Sequence, residues 1–261
     1  MRAFFVHIFF VGIILNSLFI IQPVLADYSS AYSDYTFNFT KYRETHNGYQ
    51  IAKSTYATYR TLTAKEDATT KLRTVLQTRA KLMTAYFDLL YEKILATPNI
   101  PSENQNTFFK VKENEKKWLS QHQTKLDAAS GLEDLNSASG EFETRFAQMD
   151  TESKQAIGTI LLSKTTNLST SWDNETNLLQ EQLKTIAAAG ENITNAQAGI
   201  ISARNKKELA ETKFSAAQKI FAGSEYGGIN LFSAQQKLTE GIQYLREATQ
   251  YLQEIVKSFT G

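Results

Sequence analysis

Five tyrosines, Tyr28, Tyr35, Tyr42, Tyr49 and Tyr56, stand seven residues apart in the stretch DYSSAYSDYTFNFTKYRETHNGYQIAKSTY. A row of rings at that spacing can stack on the faces of sugars or peptides. It can also serve as a partly wet seam between helices, because tyrosine joins a large apolar ring to a polar tip. Tyr32, Phe39 and His46 follow three of the five by four residues, so the rings form one stripe on a helix. Stripes of this kind are read first as packing, and the tyrosine row is a candidate interaction or packing stripe in that sense.

Other chemistry-bearing residues converge poorly. After residue 26 the histidines are His46 and His122, far apart and without a second histidine or cysteine at metal-ligand spacing. His122 lies on an apolar stripe and reads as a core residue. The sequence contains no P-loop, glycine-rich dinucleotide turn, H-E-x-x-H or G-x-S-x-G. Its carboxylates are scattered, with no pair suited to glycoside hydrolysis. The expectation is therefore a non-enzyme with no catalytic residue, no metal site and no cofactor.

Asn38, Asn167, Asn174 and Asn192 begin N-x-S/T sequons, near chance in a chain so rich in Asn, Ser and Thr. The runs KVKENEKKW and SARNKKELAETK mix signs and read as solvated helix faces. No nucleic-acid partner is expected.

The first 26 residues read as a secretory signal. Arg2 is followed by the apolar run AFFVHIFFVGIILNSLFII and by PVLA, with cleavage between Ala26 and Asp27. An uncleaved anchor is the competing reading, and would be the chain's route to a membrane if it has one. Removing this segment takes one arginine and no acid, leaving 27 basic and 27 acidic side chains. A neutral chain has no general electrostatic attraction to nucleic acid or an anionic surface. The chain has no cysteine, so packing rather than disulfides must hold it.

The elements that would carry these residues are long helices. Beyond residue 26 the prolines are Pro98 and Pro101, and glycine is sparse, too few breaks for a sheet-rich fold. Residues 28–96 read as a continuous or gently kinked rod, weakened at Gly48, with Thr63–Glu66 offering a capping box for a second helix. Leu72, Leu76, Met83, Phe87, Leu90 and Ile94 make its broad apolar face. A proline-containing loop at 97–106 comes next, then a stripe of Phe108, Val111, Trp118, His122 and Leu126.

Ser130–Glu133 reads as a capping box. It opens a second rod through Leu135, Phe142, Phe146, Met149, Ile160, Leu168, Trp172, Leu179 and Leu183, ending at Gly190. Thr194–Gln197 reads as a further box. Beyond it Ala196, Ala203, Ala210 and Ala217 sit three residues after the heptad Ile193, Ile200, Lys207, Phe214 and Phe221, with Lys207 the polar exception. Leu231, Leu238, Leu245 and Leu252 repeat a second heptad, with Ala234, Gly241, Ala248 and Ile255 three beyond. Large-x-x-small repeats let backbones approach closely, so the two form the seam of an antiparallel hairpin. A free leucine-zipper dimer fits less well, since the flanking positions lack opposed charges.

The fold class expected is all-α: an elongated, coiled-coil-like antiparallel bundle of long helices at 27–190, with a C-terminal helical hairpin at 191–261. The function expected is an exported scaffold, spacer or protein-interaction module of the cell envelope, periplasm or cell surface. It would meet a protein partner, or a second copy of itself, through helix faces. The competing reading is a secreted helical pore-forming or membrane-interacting protein, whose inserting segment would be residues 185–203 or QAIGTILLS.

Overall fold

The computed structural model describes residues 26–223 and 228–260. The segment read as a secretory signal, apart from its last residue, and part of the stretch GSEYGGIN lie outside these residues. The described chain is an all-α helical bundle of six helices: α1 Ala26–Tyr59, α2 Leu62–Leu95, α3 Ser102–Ala128, α4 Leu132–Ala188, α5 Thr194–Phe221 and α6 Leu231–Thr260. By compactness it divides into two units. One holds α1, α2, α3 and α4 as far as Ile160, and the other runs from Leu161 through α5 and α6.

The expected single rod at 28–96 is instead two helices. Arg60 takes a left-handed backbone (φ 51°), its N–H still bonded to the Tyr56 carbonyl, and the chain reverses there. Thr61, not Thr63, caps α2, its hydroxyl oxygen accepting the Ala64 N–H at 3.2 Å. A non-glycine residue in this conformation costs about 1 kcal/mol, which packing of α1 on α2 must outweigh. The two pair antiparallel: Tyr35 meets Tyr86, Thr45 bonds Thr78 at 2.7 Å, and Lys93 lies over Tyr28.

Other helix ends also differ from the sequence reading. The start of α3 lies at Ser102, behind Pro101 and with no side-chain cap, so the loop is shorter than 97–106. At the start of α4 the partner of Ser130 is Asp134 rather than Glu133. Its Oδ2 accepts from both the Ser130 N–H (2.8 Å) and hydroxyl (2.6 Å), which holds the Asp134 carboxyl below its usual range. At the start of α5 the N-cap is Ile193, without a side-chain cap, and Asn192 Oδ1 just before it accepts the Thr194 N–H at 2.9 Å. Gly190 closes α4 as expected, at φ 92°. Its N–H meets the Ala187 carbonyl and that of Glu191 meets Ile186, the two bonds of a Schellman ending.

In the first unit, Phe87, Leu90, Ile94, Phe108, Leu119, Phe142, Met149 and Ile160 form the main core. Leu72, Val75, Leu76, Leu126, Leu135 and Ala138 form a second cluster. In the other unit Trp172, Leu179 and Leu183 of α4 pack with the α5–α6 hairpin. All four seam alanines of α5 are buried, as are Leu238, Leu245 and Leu252, while Leu231 is partly buried. The helices approach closely at Gly241, where an added Cβ would stand 2.4 Å from the Phe214 ring and 3.1 Å from the Ala210 carbonyl. Lys206–Glu247 (2.7 Å) and Lys213–Glu240 (2.6 Å) flank this seam and confirm its antiparallel sense.

Candidate interaction surface

The tyrosine row sits on α1 where α1 meets α2. Tyr28, Tyr35, Tyr42, Tyr49 and Tyr56 are all half-buried. Tyr42 and Tyr49 pack on the Leu72–Val75–Leu76 cluster, and Tyr35 lies 5.7 Å from the Tyr86 ring. Three residues beyond four of these tyrosines come Ala31, Asn38, Thr45 and Ala52, small or short side chains that are buried or half-buried. The large-x-x-small arrangement of α5 is thus present in α1 as well, with tyrosine in the large position.

One helical turn on, a second set of rings leans against the first. Tyr32 stacks on Tyr28 with centroids 6.4 Å apart and Phe39 on Tyr35 at 6.1 Å, while His46 lies tilted against Tyr42 at 5.7 Å. Tyr32 and Phe39 are 53% and 41% exposed. The inner rings pack toward α2 and back the outer rings on one side, so the outer ones present supported aromatic area to solvent. Aromatic residues anchor many protein interfaces. Arg43, 5.9 Å from the Phe39 ring, adds a cation on the same stretch.

Beside the row lies a groove of about 740 Å³ between α1, α2 and α3. Asp27, Asp34, Asp88 and Glu92 line it against Lys81 and Lys116. Lys116 holds Asp88 at 2.9 Å. Burial, with the nearby Asp27 and Asp88 charges, raises the Glu92 carboxyl above its usual range, although Lys112 opposes this. Asp27, the residue after the expected cleavage point, also lies in the first turn of α1, where an acid complements the helix dipole. Ala26 is the first residue of α1.

His122 is 4% exposed and lies flat on Trp118, with centroids 4.8 Å apart and planes 11° apart. Phe142 covers another side of it. Neither ring nitrogen has a hydrogen-bond partner. Burial is the largest cause lowering its pKa, and Arg79 and Lys125 add to it against the opposing Glu141. Arg79 itself lies over the Phe142 ring at 3.7 Å and bonds Glu143. Among the described residues no group of three or more His, Cys, Asp or Glu side chains is placed to hold a metal ion. Nor is any described helix long and apolar enough to cross a membrane.

Sequence reasoning missed two charged pairs between helices, of which the first has a buried carboxylate. Glu115, 1% exposed, is gripped by the Arg145 guanidinium through both carboxylate oxygens, one bond measuring 2.9 Å. Lys207 reaches Asp173 at 2.8 Å and Glu211 at 3.5 Å. The signal was present: each charge occupies a stripe position, and an opposite charge stands on a neighbouring helix. Neither a family model, nor a curated protein, nor a solved structure matches this chain.

Proposed function

We propose that this chain is an exported, non-enzymatic helical interaction module, working at the cell envelope or surface and engaging a protein partner through the aromatic edge of α1. The observation that supports this reading most is the double row of rings. Tyr32 and Phe39 are exposed, yet each is held by a half-buried tyrosine behind it. Protein interfaces favour aromatic anchors with a polar rim, and the Arg43 cation beside Phe39 would belong to that rim. Export rests on the reading of residues 1–26.

A photo-crosslinking residue placed at Phe39 tests the proposal in cells of the native host, with the same residue at the exposed Ile201 of α5 as the control. A discrete adduct from position 39, absent from position 201, supports the α1 edge as the contact surface. Equal labelling from both positions, or none from position 39, contradicts it. An adduct of twice the chain mass would identify the partner as a second copy.

A further inference from the structure

Along α4 between Leu162 and Leu183, the side chains facing the α5–α6 hairpin include Thr165, Ser169 and Thr176, all buried. Their neighbours in the same row are leucine and tryptophan. Short hydroxyl side chains cannot fill a row spaced for leucine, and space remains. It takes the form of a cavity of about 430 Å³ between α4 and α5, open to solvent on the side where Thr170, Glu211, Ser215 and Gln218 are exposed, and within the size range of small-molecule sites.

The lining is chemically mixed. Leu162 and Phe214 give it an apolar wall, while Ser169, Thr170, Ser215 and Gln218 contribute hydroxyls and an amide that both donate and accept. Asp173, Lys207 and Glu211 complete it, and they compensate one another to within a single negative charge. Ser169 is 7% exposed, and its hydroxyl makes no hydrogen bond although it lines the cavity. Thr165, one turn before, satisfies its own hydroxyl on the Leu162 carbonyl at 2.9 Å. A buried hydroxyl left unbonded is costly, so Ser169 is suited to a group supplied from outside the chain.

We propose that the cavity between α4 and α5 binds a neutral, hydroxyl-rich small ligand of the saccharide class. Vicinal hydroxyls suit carboxylates that accept and hydroxyls and amides that do both, and the Leu162–Phe214 wall suits the C–H face of a sugar ring. A strongly charged ligand would have to disrupt the Lys207 pairs. This inference is independent of the α1 reading, since it concerns the other unit and a different kind of ligand.

The test is an NMR titration of the full mature chain, isotopically labelled, with maltose, cellobiose and N,N′-diacetylchitobiose as probes. Inorganic phosphate and putrescine serve as charged comparisons. Saturable shifts confined to amides around Ser169, Thr170, Ser215 and Gln218 with at least one disaccharide are expected. Ser169→Ala should weaken that binding about fivefold, the effect of one hydrogen bond. Ser169→Leu, which fills the space, should abolish it with the helical spectrum retained. Shifts with phosphate or putrescine alone overturn the ligand class. No saturable shift with any saccharide, or unchanged binding in Ser169→Ala, overturns the site.

Discussion

At Glu115 and Arg145 two charges occupy positions that their helices otherwise give to leucine or methionine. Removing one partner of such a pair strands the other out of water and costs about 3 kcal/mol or more, whereas replacing both with apolar groups of similar volume is close to neutral. Arg145→Met alone should therefore lower the midpoint of chemical unfolding sharply, and Glu115→Leu with Arg145→Met should recover most of the loss. His122 gives a pH-dependent counterpart. Its pKa is lowered from 6.5 by burial first and the Arg79 charge second. The unfolded chain then binds a proton at higher pH than the folded one, so the contribution to stability is present above about pH 6.5 and is lost as pH falls toward the folded pKa. Stability of His122→Phe, followed by denaturant unfolding, should fall less than that of the natural protein as pH drops through this window. Glycine divides in the same way. Gly140 lies in α4 with open space around its missing Cβ, and Gly140→Ala should stabilise by about 1 kcal/mol. Gly241→Ala meets the buried Phe214 ring and should destabilise by about 1–2 kcal/mol despite its better helix propensity. Thermal melts of the two variants should move in opposite directions.

The elements show which signals a sequence carries. Alanine and leucine heptads, a glycine turn and a C-terminal Gly190 were enough to read the α5–α6 hairpin, because each rests on short-range spacing. The break at Arg60 was legible only as a capping box at Thr63–Glu66, two residues past the observed cap at Thr61. Arginine is a good helix former, and neither glycine nor proline marks the reversal, so that box did not outweigh the reading of one rod; the large-x-x-small rhythm of α1 was a further cue that it pairs with a returning helix. Arg60→Gly relieves the left-handed strain and should stabilise the fold by up to about 1 kcal/mol, read as a higher melting temperature. In α4 the sequence reading followed hydrophobicity through Phe146 and Leu168, both of which are exposed. Thr165 and Ser169 are buried instead, and a polar core position leaves no mark in an apolar pattern. Apart from the buried Gly158, the buried row steps by three or four residues, or their sum, up to Ile160, then by five to Thr165. That change of register coincides with the division between the two units.

For the molecule as a whole, an all-α bundle was legible because period and scarcity of breakers act over the entire length. The candidate site was legible only in part. The tyrosine row and its companions Tyr32, Phe39 and His46 stood out by spacing, but the sequence could not separate the packed rings from the exposed ones, a difference created by α2 folding back on α1. The central claim is that the exposed rings, rather than the helices in general, carry recognition. Its most direct test compares the purified chain from Asp27 onward with a Tyr32→Ser/Phe39→Ser variant as bait in extracts of the native host, after confirming equal melting temperatures. The account predicts that a partner retained by the natural chain is lost from the variant. Retention of the same partner by both would contradict it.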